Sequence, residues 1–275
     1  MAELFTRLLL ATEHTEFDSG AETLALAMAL RCKLPLAVIF PLLSNPEYET
    51  LAPQIAARAE RDAAQKIAQL QAQADAAGVM IDLRVRRGEE PYQEIVQEAK
   101  GQASELIIIR RRGKRGFLAN LLVGEMVSKV VAHAPCHVLI VPQEARMWHR
   151  RVLVAAAPGA PGLRLVSTAA AVAAECALPL HVVCVAAGDA QRQSVDTFLT
   201  DALQLARQHG ISAQAEVRIG KPFTEILASA TRCQADLIVI GSDHRIGRAL
   251  VGGVAQKVIG LSESPVLILH VEETT

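Results

Sequence analysis

The chain repeats itself. Arg31-Cys-Lys-Leu-Pro-Leu-Ala-Val38 returns as Glu175-Cys-Ala-Leu-Pro-Leu-His-Val182, and the same spacing of 144 residues carries Arg7-Leu-Leu-Leu-Ala11 onto Arg151-Val-Leu-Val-Ala155. Farther on, the spacing shrinks without losing order. Gly78 and Gly88 answer to Gly210 and Gly220; Ile95, Ala99, Leu106 and Gly116 answer to Ile226, Ala230, Leu237 and Gly247; Gly124 and Val138 answer to Gly252 and Val266. Drift without scrambling is what duplication followed by loop insertions and deletions leaves behind. The period is too long for a solenoid, so each copy is expected to be a whole domain, 1–144 and 149–275.

Hydrophobic residues make up 51% of the chain and aromatics only 3%. The cores are therefore built from Ala, Val, Ile and Leu, which suits parallel strands under Ala-rich helices. A net charge of −1 gives no global pull toward nucleic acid or an acidic membrane, so any anion site must be local. No basic segment followed by an apolar core opens the sequence, and no apolar run approaches the ~18 residues of a membrane span. The expected address is the cytoplasm. Five cysteines without a CxxC pair fit a reducing compartment, with Cys32, Cys176 and Cys184 in apolar stretches as packing residues.

The first half reads as β-α-β-α-β-α-β-α-β. Strands are expected at Leu8–Ala11, Leu36–Phe40, Ile81–Val85, Leu106–Ile109 and Val138–Val141. Asp18 or Ser19 can cap a helix through about Cys32. Leu51 to Ala77 carries Ile55, Ala59, Ala63, Ile67 and Leu70 at helical spacing, a single apolar stripe closed by Gly78. Pro91 to Lys100 and Gly124 to His133 supply two more helices. The second half repeats the order, with strands near Val152–Ala155, His181–Val185, Ala215–Arg218, Leu237–Ile240 and Val266–His270. Alternation of this kind implies parallel pairing through right-handed crossovers, hence an α/β fold of two doubly wound sheets. Ligands of such sheets bind outside the carboxyl ends of the strands. Between the halves, Gln143 to Arg150 holds Met147 and the only tryptophan, Trp148; an exposed pair would be an apolar liability, so a docked connection is expected.

The loop after the fourth strand is the candidate site in both halves. It reads Arg110-Arg-Arg-Gly-Lys-Arg-Gly116 and then runs to Gly124-Glu125; its counterpart reads Gly241-Ser-Asp-His-Arg-Ile-Gly247 and runs to Gly252-Gly253. Glycines between strand and helix let backbone approach a phosphate, and the helix N-terminus adds free N–H groups.

A strand beginning near the N-terminus, a Gly-rich loop after the fourth strand and a closing Pro-Cys-x-Val-Leu-Ile-Val resemble the universal stress protein family, most of all over Leu106–Val141 and Asp236–His270. The resemblance covers both halves and marks a tandem member. It implies five-stranded parallel sheets in the order 3-2-1-4-5, arranged as an intramolecular pseudo-dimer. It also implies a stress role without enzymatic activity. Some members of that family bind ATP through G-x2-G-x9-G-[S/T] and an Asp after the first strand. Here Arg110 replaces the first glycine, Gly113 fits the second, the interval to Gly124 is one residue long, Glu125 replaces the hydroxyl residue and Glu13 replaces the Asp. In the second half Gly241 is kept, His244 stands at the second glycine, the interval to Gly252 is two short, Gly253 replaces the hydroxyl residue and Ala157 replaces the Asp. Cofactor-contacting positions carried over on this basis are Glu13, Gly113, Lys114, Arg115, Gly116, Gly124, Glu125, Gly241, Gly247, Gly252 and Gly253. No cofactor is expected, with ATP or another nucleotide admitted only in the first half.

Five cations in six positions, Arg110 to Arg115, either hold a phosphate-bearing ligand or form a solvated basic face paired with Glu89, Glu90 or Glu125; Arg84, Arg86 and Arg87 can add to either. His133 and His137 flank Pro135 and complete no zinc set. Ser242-Asp243-His244 names triad residue types in a row, which is not triad geometry. Two readings follow: a non-enzymatic cytosolic stress protein acting through unidentified protein partners or a small ligand, and a nucleotide switch or weak hydrolase using the first-half loop. A third is a carrier for an apolar molecule. The halves pair with each other, a further homodimer is compatible with the sequence, and neither membrane nor nucleic acid is an expected partner.

Overall fold

The computed structural model describes residues 4–44, 50–51, 53–111, 124–186, 188, 192–242 and 253–270. Two compact units divide the chain, one built mainly on Phe5–Arg112 with Glu125–Met147, the other on Trp148–Thr275.

In the first unit the order is β1 (Leu8–Ala11), α1 (Ser19–Cys32), β2 (Leu36–Leu43), α2 (Pro53–Ala76), β3 (Ile81–Gly88), α3 (Pro91–Gly101), β4 (Leu106–Arg110), α4 (Glu125–His133) and β5 (His137–Val141). Its strands lie in the order β3-β2-β1-β4-β5. Pairing is parallel throughout, with Leu8 opposite both Leu36 and Leu106, and Leu106 opposite His137. The second unit follows with β6 (Val152–Ala155), α5 (Ala160–Glu175), β7 (Leu180–Ala186), α6 (Arg192–Gln208), β8 (Ala213–Ile219), α7 (Pro222–Cys233), β9 (Leu237–Ser242), α8 (Gly253–Leu261) and β10 (Val266–His270). Its order is β8-β7-β6-β9-β10, again parallel. Both units are α/β, and strand order reverses beside β1 and β6, so the carboxyl ends of β1 and β4, and of β6 and β9, flank the crevice where such sheets place ligands.

The central strands are apolar because helices cover both faces of the sheet. Leu8, Leu9, Leu10, Ile107, Ile108 and Ile109 are fully buried, as are Val152, Leu153, Val154 and Val239. The expected strands are present; β1, β6 and β10 have the expected bounds, and the others run one to three residues longer. Beyond Val85 the third strand continues through Arg86, Arg87 and Gly88, because an outer strand tolerates charge on its open side. The apolar stripe of α2 is only half used: Ala63, Leu70 and Ala74 are buried, whereas Ile55 and Ala59 are exposed. Cys32, expected to pack, is exposed at the last turn of α1, where the chain leaves the helix through Lys33 in a left-handed conformation. Cys184 is buried, and its thiol is pushed up by that burial. Among the described residues no helix is long and apolar enough to cross a membrane.

One carboxylate in each unit ties down the chain entering the first strand. Asp236, just before β9, accepts the N–H of His149 at 2.8 Å, of Arg150 at 3.0 Å and of Arg151 at 3.0 Å. Glu105, just before β4, accepts the N–H and the hydroxyl of Thr6 and lies 3.4 Å from the Arg7 guanidinium. These N–H groups precede the ladder and would otherwise need water. Trp148 is buried beside this clamp, its indole N–H donating to Cys176 Sγ at 3.2 Å. On the other side, Gln143 accepts from the Ser19 hydroxyl and donates to the Glu16 carbonyl at the start of α1. The connecting segment is therefore docked at each end by residues of the unit it joins.

The arginines of β3 also belong to the fold. Arg84 and Arg86 hold the buried Glu98 of α3 at 3.2 and 2.8 Å, and Arg87 pairs with Glu60 at 2.6 Å. Burial raises the Glu98 pKa, but the hydrogen bonds from Gln102 and Arg86 and the two guanidinium charges outweigh it and hold the carboxyl below its ordinary 4.5. Glu216 in β8 is held down in the same way against its burial by Ser229, His181 and Arg232. The N–H of Thr6, foremost among several groups, lowers Glu105.

Two expectations follow from these carboxylates. Asp236→Ala lowers unfolding free energy by about 1–2 kcal/mol, since three backbone donors, that of Arg151 half-buried and those of His149 and Arg150 exposed, lose a charged acceptor at once; urea denaturation midpoints measure it. Carboxyls whose folded pKa lies below the unfolded value contribute stability that is complete above about pH 5 and drains away as pH falls through the folded values. Acid unfolding followed by circular dichroism therefore starts below about pH 5, and Glu98→Gln flattens that slope.

Candidate functional site

The carboxyl end of β1 turns at once from apolar to polar. Ala11 is followed by Thr12, Glu13, His14 and Thr15, then by one 3-10 turn (Glu16–Asp18) that leads into α1. The sharpness of the turn shows at His14, whose φ of 46° is left-handed. Such a conformation costs a non-glycine residue about 1 kcal/mol and is held by bonds on both sides of it. The His14 N–H donates to the Thr12 hydroxyl oxygen at 2.9 Å, and its imidazole Nδ1 lies 3.0 and 3.1 Å from the two carboxylate oxygens of Glu22. Glu22 is buried on α1 and also accepts the Thr12 hydroxyl at 2.6 Å.

Beside this network stands Arg110, the last residue of β4. It is not a solvated cation: only 6% of it is exposed. Its Nη1 donates to the Thr15 hydroxyl at 2.8 Å and to Asp18 at 3.2 Å, and its Nη2 to Glu13 at 3.0 Å. Asp18 is itself buried and receives the Thr15 N–H at 2.9 Å and the Thr15 hydroxyl. Lys66 of α2 reaches the Glu13 carbonyl at 3.3 Å. The carboxyl ends of β1 and β4 are thus bridged by a side chain of the protein. One guanidinium shared by two carboxylates leaves the cluster with a net negative charge, so it has no positive charge to offer an incoming anion.

The basic run is divided by this arrangement. Arg110 belongs to the interior, and Arg111 begins the loop with its N–H on the Val141 carbonyl at 2.7 Å. Gly113, Lys114, Arg115 and Gly116 lie outside the described residues, as do Asp243, His244, Gly247 and Gly252. Gly124 is half-buried before α4, and Glu125 is exposed as its first residue. Glu125 and Glu90 both lie 3.0 Å from Lys129, and the expected pairing of these acids with Arg112, Lys114 or Arg115 falls outside the described residues. Those two carboxylates raise the Lys129 pKa, the Glu90 bond most. His133 rests on Tyr92 and the Lys129 carbonyl, and His137 is half-buried edge-on to Phe5, with its pKa lowered by loss of solvent. Among the described residues no group of three or more His, Cys, Asp or Glu side chains could hold a metal ion.

The second unit supplies an internal comparison. Gly241 stands at the position of Arg110 and Ala157 at that of Glu13, and both are exposed. The arginine and its acid are absent together. Gly159 (φ 119°) precedes α5, and a Cβ on Gly162 would collide with the Ala157 carbonyl oxygen, so the helix starts pressed against the strand end. Gly253 opens α8 with free space around it. The structure therefore brings Glu13 together with Arg110, Asp18 and Thr15, and places Gly124 and Glu125 at the start of α4. Sequence reasoning missed Asp18, Glu22, His14 and the inward turn of Arg110. One signal was legible: Glu22 lies at helical spacing with Ala25, Leu26 and Ala29, a carboxylate on the buried face of α1.

Comparison with known proteins gives the following. The family description "Universal stress protein family" matches residues 4–142 and again 149–270. A universal stress protein of Methanocaldococcus jannaschii is 37% identical over 68 residues, which span 24% of this chain and 40% of that relative. The crystal structure of a universal stress protein from Archaeoglobus fulgidus superposes over 98% of this chain and 97% of its own, with a TM-score of 0.77 and 20% identity. A protein of unknown function from Pseudomonas aeruginosa PAO1 covers 97% of this chain and 93% of its own, with a TM-score of 0.67 and 20% identity. At these identities the structural likeness speaks to fold.

Removing the buried cation has a defined consequence. Arg110→Met leaves the buried Asp18 carboxylate without its counter-charge and costs about 3–5 kcal/mol in chemical denaturation. Arg110→Met with Asp18→Asn and Glu13→Gln recovers most of it, because the charges are then removed together.

Proposed function

The chain belongs to the universal stress protein family in both of its halves, and on that premise we propose that it is a non-enzymatic, cytosolic stress-response protein that works without bound ATP. Its domains are 1–144 and 149–275, paired as an intramolecular pseudo-dimer, and it acts through protein partners or a small ligand. Members of this family are generally non-enzymatic, which supports the reading.

The observation that carries the proposal is Arg110. In the ATP-binding pattern a glycine at this position leaves space, and an acid after the first strand meets the nucleotide. Here the arginine fills that space and the acid, Glu13, is spent on it at 3.0 Å. A nucleotide would have to displace a buried guanidinium and leave Asp18 uncompensated, at a cost of several kcal/mol. That penalty would take a micromolar site toward the millimolar range or beyond. In the second half the acid is missing altogether, since Ala157 offers no group to a base or ribose.

Native mass spectrometry of the freshly purified full chain, then titration with ATP, ADP and AMP, tests this. The expected result is an unadducted mass that millimolar nucleotide does not change. A stoichiometric adduct that disappears in Lys114→Ala/Arg115→Ala would instead establish the first-half loop as a nucleotide site and overturn the proposal.

A further inference from the structure

At the amino ends of β1, β2 and β3, the other end of the sheet from Arg110, a cavity of about 270 Å³ opens between the strands and the end of α3. That volume lies near the lower end of small-molecule sites, about 300–1,000 Å³. Leu8 and Leu36 are buried in its walls, and Pro35, Ile81 and the exposed Met80 complete the apolar lining. Four polar side chains share it. Ser104, only 7% exposed, follows the left-handed Ala103 (φ 48°) beyond the end of α3. Its N–H is satisfied by the Ala99 carbonyl, but its hydroxyl has no partner among the described residues. A buried hydroxyl left in this way costs free energy that a ligand group can recover. Arg7 reaches Glu105 through Nη2 alone, at 3.4 Å, which leaves Nε and Nη1 for a second acceptor. Asp82 meets Arg84 through one oxygen at 3.0 Å, and Gln102 gives its amide N–H to Glu98 and keeps its carbonyl oxygen.

The second unit shows the same corner occupied by the protein itself. Opposite the outer strand, His181 stands where the first unit has Ala37, and Gln214 where it has Asp82. His181 is buried, with Nε2 3.1 Å from Glu216. Arg151, the counterpart of Arg7, donates to Gln214 at 3.3 Å. Ala235 replaces Ser104, so no hydroxyl remains to be satisfied. In the first unit all of these closures are missing together: a methyl group stands in place of the imidazole, and Arg7 and Asp82 turn to Glu105 and Arg84.

The polar lining divides by function. Arg7 and Ser104 donate and suit a carboxylate, Asp82 and the Gln102 carbonyl accept and suit an ammonium, and the rest of the lining is apolar. A purely anionic ligand would meet Asp82 and a purely cationic one Arg7. We propose that this cavity binds a free α-amino acid with an aliphatic side chain about the size of leucine, its carboxylate on Arg7 and Ser104 and its ammonium on Asp82 and Gln102. The site is separate from the crevice at the carboxyl ends of β1 and β4, so it stands whether or not that crevice takes a nucleotide.

Isothermal titration calorimetry of the full chain with L-leucine tests this. One site with a Kd of about 0.1–5 mM is expected, weak because both charged groups are largely exposed to water. 4-Methylpentanoate, which lacks the ammonium, and 3-methylbutylamine, which lacks the carboxylate, each bind about tenfold more weakly or worse. Arg7→Met weakens leucine binding by a similar factor, Ser104→Ala by about threefold, and Ala37→His, which copies the second unit, abolishes it. Far-ultraviolet circular dichroism and the urea midpoint establish that each variant is folded. No saturable heat with leucine, valine or methionine up to about 20 mM, well above the expected Kd, overturns the proposal. Leucine binding that survives Arg7→Met and Ala37→His unchanged overturns it as well, and so does 4-methylpentanoate binding as tightly as leucine.

Discussion

Everything in each half hangs on a four-residue strand with no water on either side. Leu8–Ala11 and Val152–Ala155 sit in the middle of their sheets, and burial on both faces leaves them no polar side chain and no tolerance for an unpaired backbone group. The ladder satisfies the strand itself. Its two ends are the problem, and the molecule solves them with carboxylates. At the entry, Glu105 and Asp236 gather the N–H groups that precede the ladder. At the exit of the first half, Glu22 and Asp18 gather the groups that follow it. The entry device is the same in both copies, and the exit device is not.

That asymmetry explains how one duplication yields two different crevices. A carboxylate buried after β1 needs a counter-charge close by, and β4, the adjacent parallel strand, ends beside it and can supply one. Arg110 does so. Once it is in place, the arginine cannot be lost alone without stranding the buried Asp18 carboxylate. In the second half Gly241 and Ala157 have dispensed with both partners, and a glycine with an alanine is as self-consistent as an arginine with a glutamate. The intermediate combinations are the costly ones. An arginine taken in at the strand end becomes part of the core and contributes to stability.

Helices α2 and α6 diverge on the same principle applied to apolar surface. Each must bury one stripe against its sheet, and α6, the shorter, buries Val195, Phe198, Leu199, Ala202 and Ala206. The additional turns of α2 meet no sheet, so their apolar residues face outward while their charges alternate in sign. Arg84, Arg86 and Arg87, by contrast, look like a basic surface in one dimension and are in fact distributed among Glu98, Asp82 and Glu60.

The α/β class, the element order and the duplication were legible in the sequence because they depend on local periodicity: short apolar runs, Ala-rich helices and glycines after them recur whatever the rest of the chain does. The docking of Trp148 was legible for a similar reason, since its size and polarity leave few exposed alternatives. The destination of Arg110 was not. In sequence it opens a run of five cations, and nothing local separates it from Lys114. Only the parallel register that sets Leu106 against Leu8 brings the end of β4 to within hydrogen-bond reach of residues more than ninety positions away. The exposed half of the α2 stripe escaped for the complementary reason. Helical spacing tells which residues share a face, but how far the underlying sheet extends beneath that face is a fact of packing alone.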